Sequence, residues 1–330
     1  MSATQALKNS CTSGYDWARE KLPWPIIKKI LTIVFFVLVA TLLVKQGATI
    51  EWAKVWQTLK DTSVLTLGIG AGLGFLCYCV YASYDLLGRY LLKLNVSWPK
   101  TWFAAGLCYA FNLNLSALVG GVAFRYRLYS RLGIKAADVT RILGISVVTN
   151  WSGYILLAGG LFVSGQINPP DSWAVGQTSL QVIGAAFIFV IAAYVGVCWR
   201  ARKREYRFKS TTITLPPVSI ALLQLAMACA HWTLMASVIY QFMPDEIAFA
   251  TVFAVLLVSA LAGVITHIPG GLGVLEAVFI ALLSGQVAKA DILAGLFAYR
   301  CVFYLLPLAV ATPLYLIFEA RTRPPEKTAD

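Results

Sequence analysis

His267-Ile-Pro-Gly-Gly-Leu-Gly-Val-Leu-Glu276 sets a helix breaker, three glycines and a carboxylate inside a segment, Ile247 to Leu283, that is otherwise apolar enough for a bilayer. Hydrocarbon offers no partner to an opened backbone, so a break at that depth must line a polar cavity or be packed inside protein. A carboxylate there is costly unless it is paired or reached by water, which makes Glu276 a functional-site candidate. The plain alternative is a kinked packing helix.

Working outward, Trp102 to Phe124 is interrupted in the same way, by Asn112, Asn114 and Gly120-Gly121. Both stretches are candidates for a broken helix or re-entrant hairpin. Six other apolar runs are long enough to cross a hydrocarbon core that needs roughly 20 residues. They are about Ile26 to Val44, Ser63 to Leu87, Ile142 to Gly165, Leu180 to Cys198, Val218 to Phe242 and Ile292 to Phe318. With 59% hydrophobic residues and a mean hydropathy of +0.73, the expected fold class is an all-α polytopic membrane protein. Residues 1–25 and 319–330 read as short cytoplasmic tails, and 26–318 as a transmembrane domain.

A net charge of +12 would suggest nucleic acid in a soluble protein. Here the basic residues flank apolar runs, where they orient spans and meet anionic headgroups, so no nucleic-acid partner is expected. Arg19, Lys21, Lys28 and Lys29 and the loop Arg200 to Lys209 belong in the cytoplasm; the loop Gln166 to Gln177, which lacks Lys and Arg, and the acidic Met243 to Glu246 belong outside. Counting spans places Arg89 to Lys100 inside, and Arg125 to Arg141 as well. Both hold only if Trp102 to Phe124 enters and leaves on one side. The same logic makes Ile247 to Leu283 re-entrant from outside. The chain then reads as two inverted-topology repeats, about 26–165 and 180–318, each with three spans and one re-entrant or broken helix. A substrate site is expected near midplane between them.

Trp52, Val55 and Leu59 share a face, as in an interfacial helix, and Ser83 to Leu94 and Arg125 to Ile134 read likewise on the inner surface. Gly68, Gly70, Gly72 and Gly74 form two small-xxx-small pairs, read as close helix packing. The seven cysteines lack metal-ligand spacing and read as small buried residues. No metal site and no cofactor motif is expected, and no Ser/His/Asp, Cys/His or H-E-x-x-H constellation appears, which argues against an enzyme.

Arg300 lies too deep in its run to snorkel with ease, so it needs an anionic partner. Glu276 is the nearest candidate, either as an architectural ion pair or across a polar cavity. In the functional reading, Arg300 with Arg125 and Arg127 meets a lipid phosphate through parallel hydrogen bonds. Gly270, Gly271 and Gly273 would turn backbone N–H groups toward the anion where a half-helix begins. Arg127 and Arg131, at i and i+4, share a face from which Arg125 is turned away. His267, beside the break, and Glu276 are candidate proton carriers. His231 reads as a hydrogen-bonded bundle residue, and Asp85 as interhelical glue.

At Gly120-Gly-Val-Ala-Phe-Arg-Tyr-Arg-Leu-Tyr129 with Leu132-Gly133, and at His267 to Glu276 with Arg300 beyond, the chain resembles the lysylphosphatidylglycerol synthetase transmembrane family. That family comprises the membrane region of multiple peptide resistance factors and many smaller bacterial inner-membrane proteins. The resemblance runs from roughly Ile26 to Phe318. It implies a lipid-translocating, flippase-like bundle (26–318) in the inner (cytoplasmic) membrane with an anionic phospholipid, plain or aminoacylated, as partner. Arg125, Gly270, Gly271, Gly273 and Glu276 are the matching positions. Where many members have Gly-Glu, this chain has Gly121-Val122. The resemblance does not extend to a soluble transferase domain, so synthesis of a lysyl-lipid is not expected. The alternative from another class is a non-transporting scaffold that holds a lipid-synthesis enzyme in the membrane. No motif specifies an oligomeric state.

Overall fold

The computed structural model describes residues 57, 60–115, 117–165, 176–201, 204–208, 211–266, 271 and 273–321, which fall in one compact unit, Ala53–Asp330. The expected first span, Ile26 to Val44, lies outside the described residues, as do Trp52, Val55, Leu59, His267 and Gly270.

Five described stretches are long and apolar enough to cross a membrane. They are α1 (Val64–Leu91), α4 (Ala136–Val163), α5 (Gln177–Arg200), α6 (Val218–Tyr240) and the continuous Lys289–Arg321. The last comprises α9 (Lys289–Arg300), a π-helical turn (Cys301–Leu305) and α10 (Leu306–Arg321). Large apolar side chains such as Phe75, Phe189 and Leu316 face outward along these spans, as lipid contact requires. α1 begins where Ser63 accepts a hydrogen bond from the Thr66 N–H at 3.0 Å, an N-cap. It continues through Ser83 to Leu91 rather than turning onto the inner surface at Ser83, because the acid that would have halted it in lipid, Asp85, is paired inside the protein.

Trp102 to Phe124 is a helical hairpin. α2 (Trp98–Leu115) is followed by a π-helical segment (Ala117–Ala123) that leads into α3 (Phe124–Arg131). In a continuous helix Phe111 and Phe124 would stand roughly 20 Å apart, yet their rings stack at 4.2 Å. Farther from the tip, the Tyr129 hydroxyl reaches the Thr101 carbonyl at 3.5 Å. Gly120 permits the close return, since a Cβ there would lie 2.2 Å from the Phe111 carbonyl carbon. α3 ends at Gly133, in the left-handed region at φ +80°, where the Ile134 N–H caps the Tyr129 carbonyl at 3.0 Å. In the second half, α7 (Phe249–Thr266) and α8 (Val274–Leu283) pack on each other. Both contribute to the principal core, through Val252, Leu257, Leu275 and Phe279.

α1 and α6 run antiparallel through the centre. Gly70 lies against Phe242 and Cys77 meets His231. The glycine row is therefore split: Gly70 and Gly74 pack on Phe242 and Phe303, while Gly68 and Gly72 face open space. α4 packs on α6 where a Cβ on Gly153 would lie 2.3 Å from the Ala228 Cβ, and on α5 through Gly159 and Gly184. The basic Arg200 to Lys209 loop contains a strand unforeseen in the sequence. β1 (Glu205–Phe208) pairs antiparallel with β2 (Thr211–Thr214), Glu205 opposite Thr214 and Phe208 opposite Thr211. Arg141 ties this ribbon to α4 through the Thr214 hydroxyl at 2.6 Å and Glu205 at 3.3 Å.

Candidate functional site

Immediately after the π-helical segment of the first hairpin, Arg125 points inward and is 1% exposed. Its Nε donates to Asp85 Oδ2 at 3.0 Å, its Nη2 to Oδ1 at 3.3 Å, and its Nη1 to the Gly121 carbonyl at 3.2 Å. Asp85, on α1, is fully buried and also accepts from the Tyr129 and Ser146 hydroxyls. Every lone pair that burial strips of water is thereby answered, the condition under which a buried pair is tolerated. The Arg125 guanidinium lies 5.8 Å from the Tyr81 ring centroid.

Arg300 sits at the end of α9, just before the other π turn. Its Nε donates to Glu276 Oε1 at 2.5 Å, and its Nη2 to Oε2 at 3.1 Å and to the Gly271 carbonyl at 3.3 Å. Its guanidinium lies 5.4 Å from the Tyr304 ring. The two groups are thus in direct contact, with no cavity between them. Gly271 and Gly273 adopt φ +57° and +81°, so the loop needs glycine at both. The backbone N–H that was expected to face a ligand is used internally: Gly273 N donates to Glu276 Oε2 at 2.9 Å. The anion at the start of α8 is therefore the chain's own carboxylate.

The two sites share one plan. In each, a guanidinium is forked onto a carboxylate, gives a further N–H to the carbonyl of a hairpin glycine, and faces a tyrosine ring. The signs are exchanged. The hairpin's return leg supplies the cation in the first site and the anion in the second. The first pair is sealed, with side chains 1% and 0% exposed; the second, at 11% and 21%, is reachable. Asp85, which completes the first site, was legible only as a lone acid in an apolar run.

Arg127 does not join Arg125. With Arg131 it lies on the opposite face of α3, where both guanidiniums meet Glu319 near the end of α10. His231 is buried where α1 and α6 cross, its Nε2 3.2 Å from the Tyr109 hydroxyl and its Nδ1 3.2 Å from Cys77 Sγ. The widened π turn after Arg300 exposes carbonyls that side chains then satisfy. Tyr78 donates to Phe303 O at 3.1 Å and Asn114 to Tyr304 O at 3.2 Å, joining α1 and the first hairpin to the last span.

No family model matches the chain. Among curated proteins it is similar to the inner membrane protein YbhN of Escherichia coli (strain K12), 42% identical over 301 residues that cover 91% of this chain and 95% of that protein. It is 26% identical over 264 residues to an uncharacterized protein of Synechocystis, covering 79% of this chain and 82% of the other. To the phosphatidylglycerol lysyltransferase of Staphylococcus haemolyticus it is 25% identical over 303 residues, 87% of this chain but only 33% of that longer protein. Kinship with these lysyltransferases is what the Gly120 and His267 motifs indicated. Sequence identity and coverage together establish that the chain belongs to the family of the inner membrane protein YbhN.

Proposed function

We propose that the chain is a non-enzymatic transporter that moves an anionic phospholipid between the leaflets of the inner membrane, both tails being cytoplasmic. The observation that carries this reading is the repeated guanidinium grip, one on each hairpin, in halves whose central spans α1 and α6 are antiparallel. Inverted repeats place equivalent hairpins on opposite faces, so each grip serves one leaflet. A phosphate is a forked acceptor like a carboxylate. Lipid phosphate would replace Asp85 on Arg125 on one side and Glu276 on Arg300 on the other, with Gly270, Gly271 and Gly273 lining the path. Each internal carboxylate holds its guanidinium in place between turnovers. It also spares the protein an unpaired buried charge, which would cost several kcal/mol. Glu276 and His267, which lies four residues before Gly271 in the sequence, are the candidate proton carriers that would couple transport to a proton gradient.

Purified protein in liposomes should speed the loss of a fluorescent anionic lipid from the outer leaflet. Arg300→Gln and Arg125→Gln should abolish this, while Arg300→Lys should retain part of it. Rates equal to those of empty liposomes, with several anionic lipids and an imposed pH gradient, would overturn the proposal and favour the scaffold.

A further inference from the structure

A groove of about 310 Å³ opens sideways from the bundle between α1, α2 and α10. We propose that it holds one acyl chain of an inner-leaflet anionic phospholipid whose headgroup rests on Arg127 and Arg131. The inference deepens the phospholipid reading above and rests on it.

The chemistry of the groove excludes a polar occupant. Its walls are apolar and aromatic side chains, and the polar tips that border it are turned away onto protein. The Tyr78 hydroxyl donates to Phe303 O at 3.1 Å, and Trp102 Nε1 lies 3.3 Å from Cys79 O and 3.2 Å from Ser83 Oγ. The walls belong to two spans and a hairpin, so what meets the groove is hydrocarbon. Its length suits a chain lying along the bundle. The wall given by the last span runs from Val302, in the π-helical turn, to Leu314 in α10, roughly 18 Å at the helical rise. Gly106 leaves the middle of the groove open, since a Cβ there would meet only the Ala82 Cβ, at 3.9 Å.

One end of the groove carries charge. Phe103, part of the wall, packs on Phe318 at 5.8 Å between ring centroids, and Phe318 adjoins Glu319. There Arg127 and Arg131 share one carboxylate, and the Arg127 side chain is 60% exposed. Among the described residues, two guanidiniums thus meet one carboxylate a single residue past Phe318, and cations beside an apolar slot complement a phosphodiester joined to an acyl chain. Ordinary annular lipid would need neither the slot nor the paired guanidiniums. A helix of another protein would not call for the cations at the mouth.

The test uses the full chain in nanodiscs of phosphatidylcholine doped with phosphatidylglycerol that carries a diazirine midway along one acyl chain. Photolabelled peptides should map to Ala71–Ala82 and Val302–Leu314, several-fold above those of α5. Gly106→Phe should cut this labelling at least threefold, whereas Gly160→Phe, whose Cβ meets open space, should leave it unchanged. Arg127→Gln/Arg131→Gln should halve labelling by the phosphatidylglycerol probe but not by a phosphatidylcholine probe of the same chain. Labelling spread evenly over all lipid-facing helices, or indifferent to Gly106→Phe, would mean annular lipid only and would overturn the inference. Transport measured on the same samples separates the two ideas. Groove labelling without transport overturns the transport reading and keeps the site; transport without groove labelling does the reverse.

Discussion

At the scale of single residues, the two ion pairs differ in a way that can be measured. Asp85 and Arg125 are sealed from solvent and bonded to one another, so Asp85→Asn or Arg125→Gln leaves a group buried without its partner. Each should destabilise the detergent-solubilised protein by about 3 to 5 kcal/mol. The double variant should cost less than the sum, with a coupling at the upper end of the roughly 0.5 to 3 kcal/mol seen for contacting groups. Glu276 and Arg300 are more exposed, so water can replace a lost partner and their coupling should be smaller. Thermal unfolding of the four single and two double variants checks this; equal coupling at both sites would contradict the sealed-versus-reachable distinction. Arg300's partner was legible because Glu276 was the acid nearest to it in sequence within the apolar core. Arg125's partner was not, since Asp85 lies forty residues away on a helix whose facing side depends on how α1 crosses its neighbours.

At the scale of elements, the first hairpin depends on one close approach. A Cβ on Gly120 would lie 2.2 Å from the backbone of Phe111, which cannot yield as a flexible side chain would. Gly120→Ala should therefore part the two legs, with a loss of about 1 to 3 kcal/mol and reduced transport. Gly144→Ala, with nothing within 4 Å, should leave the melting temperature unchanged. Similar melting of the two variants would show that the legs are not held by this contact. The interruption of Trp102 to Phe124 was legible from its glycines and asparagines, because hydrocarbon leaves few other uses for them. The π-helical segments beside Arg125 and Arg300 were not. In the turn after Arg300, the displaced Phe303 and Tyr304 carbonyls accept from Tyr78 and Asn114, and those side chains come from other helices.

At the scale of the whole molecule, the proposed inverted arrangement makes a prediction about sides. Single cysteines replacing Lys100 and Lys135, the exposed flanks of the first hairpin, should react with an impermeant thiol reagent from the cytoplasmic face. Cysteines replacing Asp245 and Lys289, the exposed flanks of the second, should react from the opposite face. Labelling of all four from one face would exclude the inversion. What the sequence determined by itself is the set of apolar spans, the two places where they break and the depth of the charged residues. These follow from local composition, because lipid penalises every unpaired polar group whatever surrounds it. Tertiary structure alone decided which polar group meets which: Asp85 with Arg125, Glu319 with Arg127 and Arg131, and Tyr109 with His231. It also decided where a lateral groove is left between α1, α2 and α10. Such pairings depend on the rotation and crossing of whole helices, which glycines such as Gly70 and Gly153 set through contacts with Phe242 and Ala228, far off in the chain.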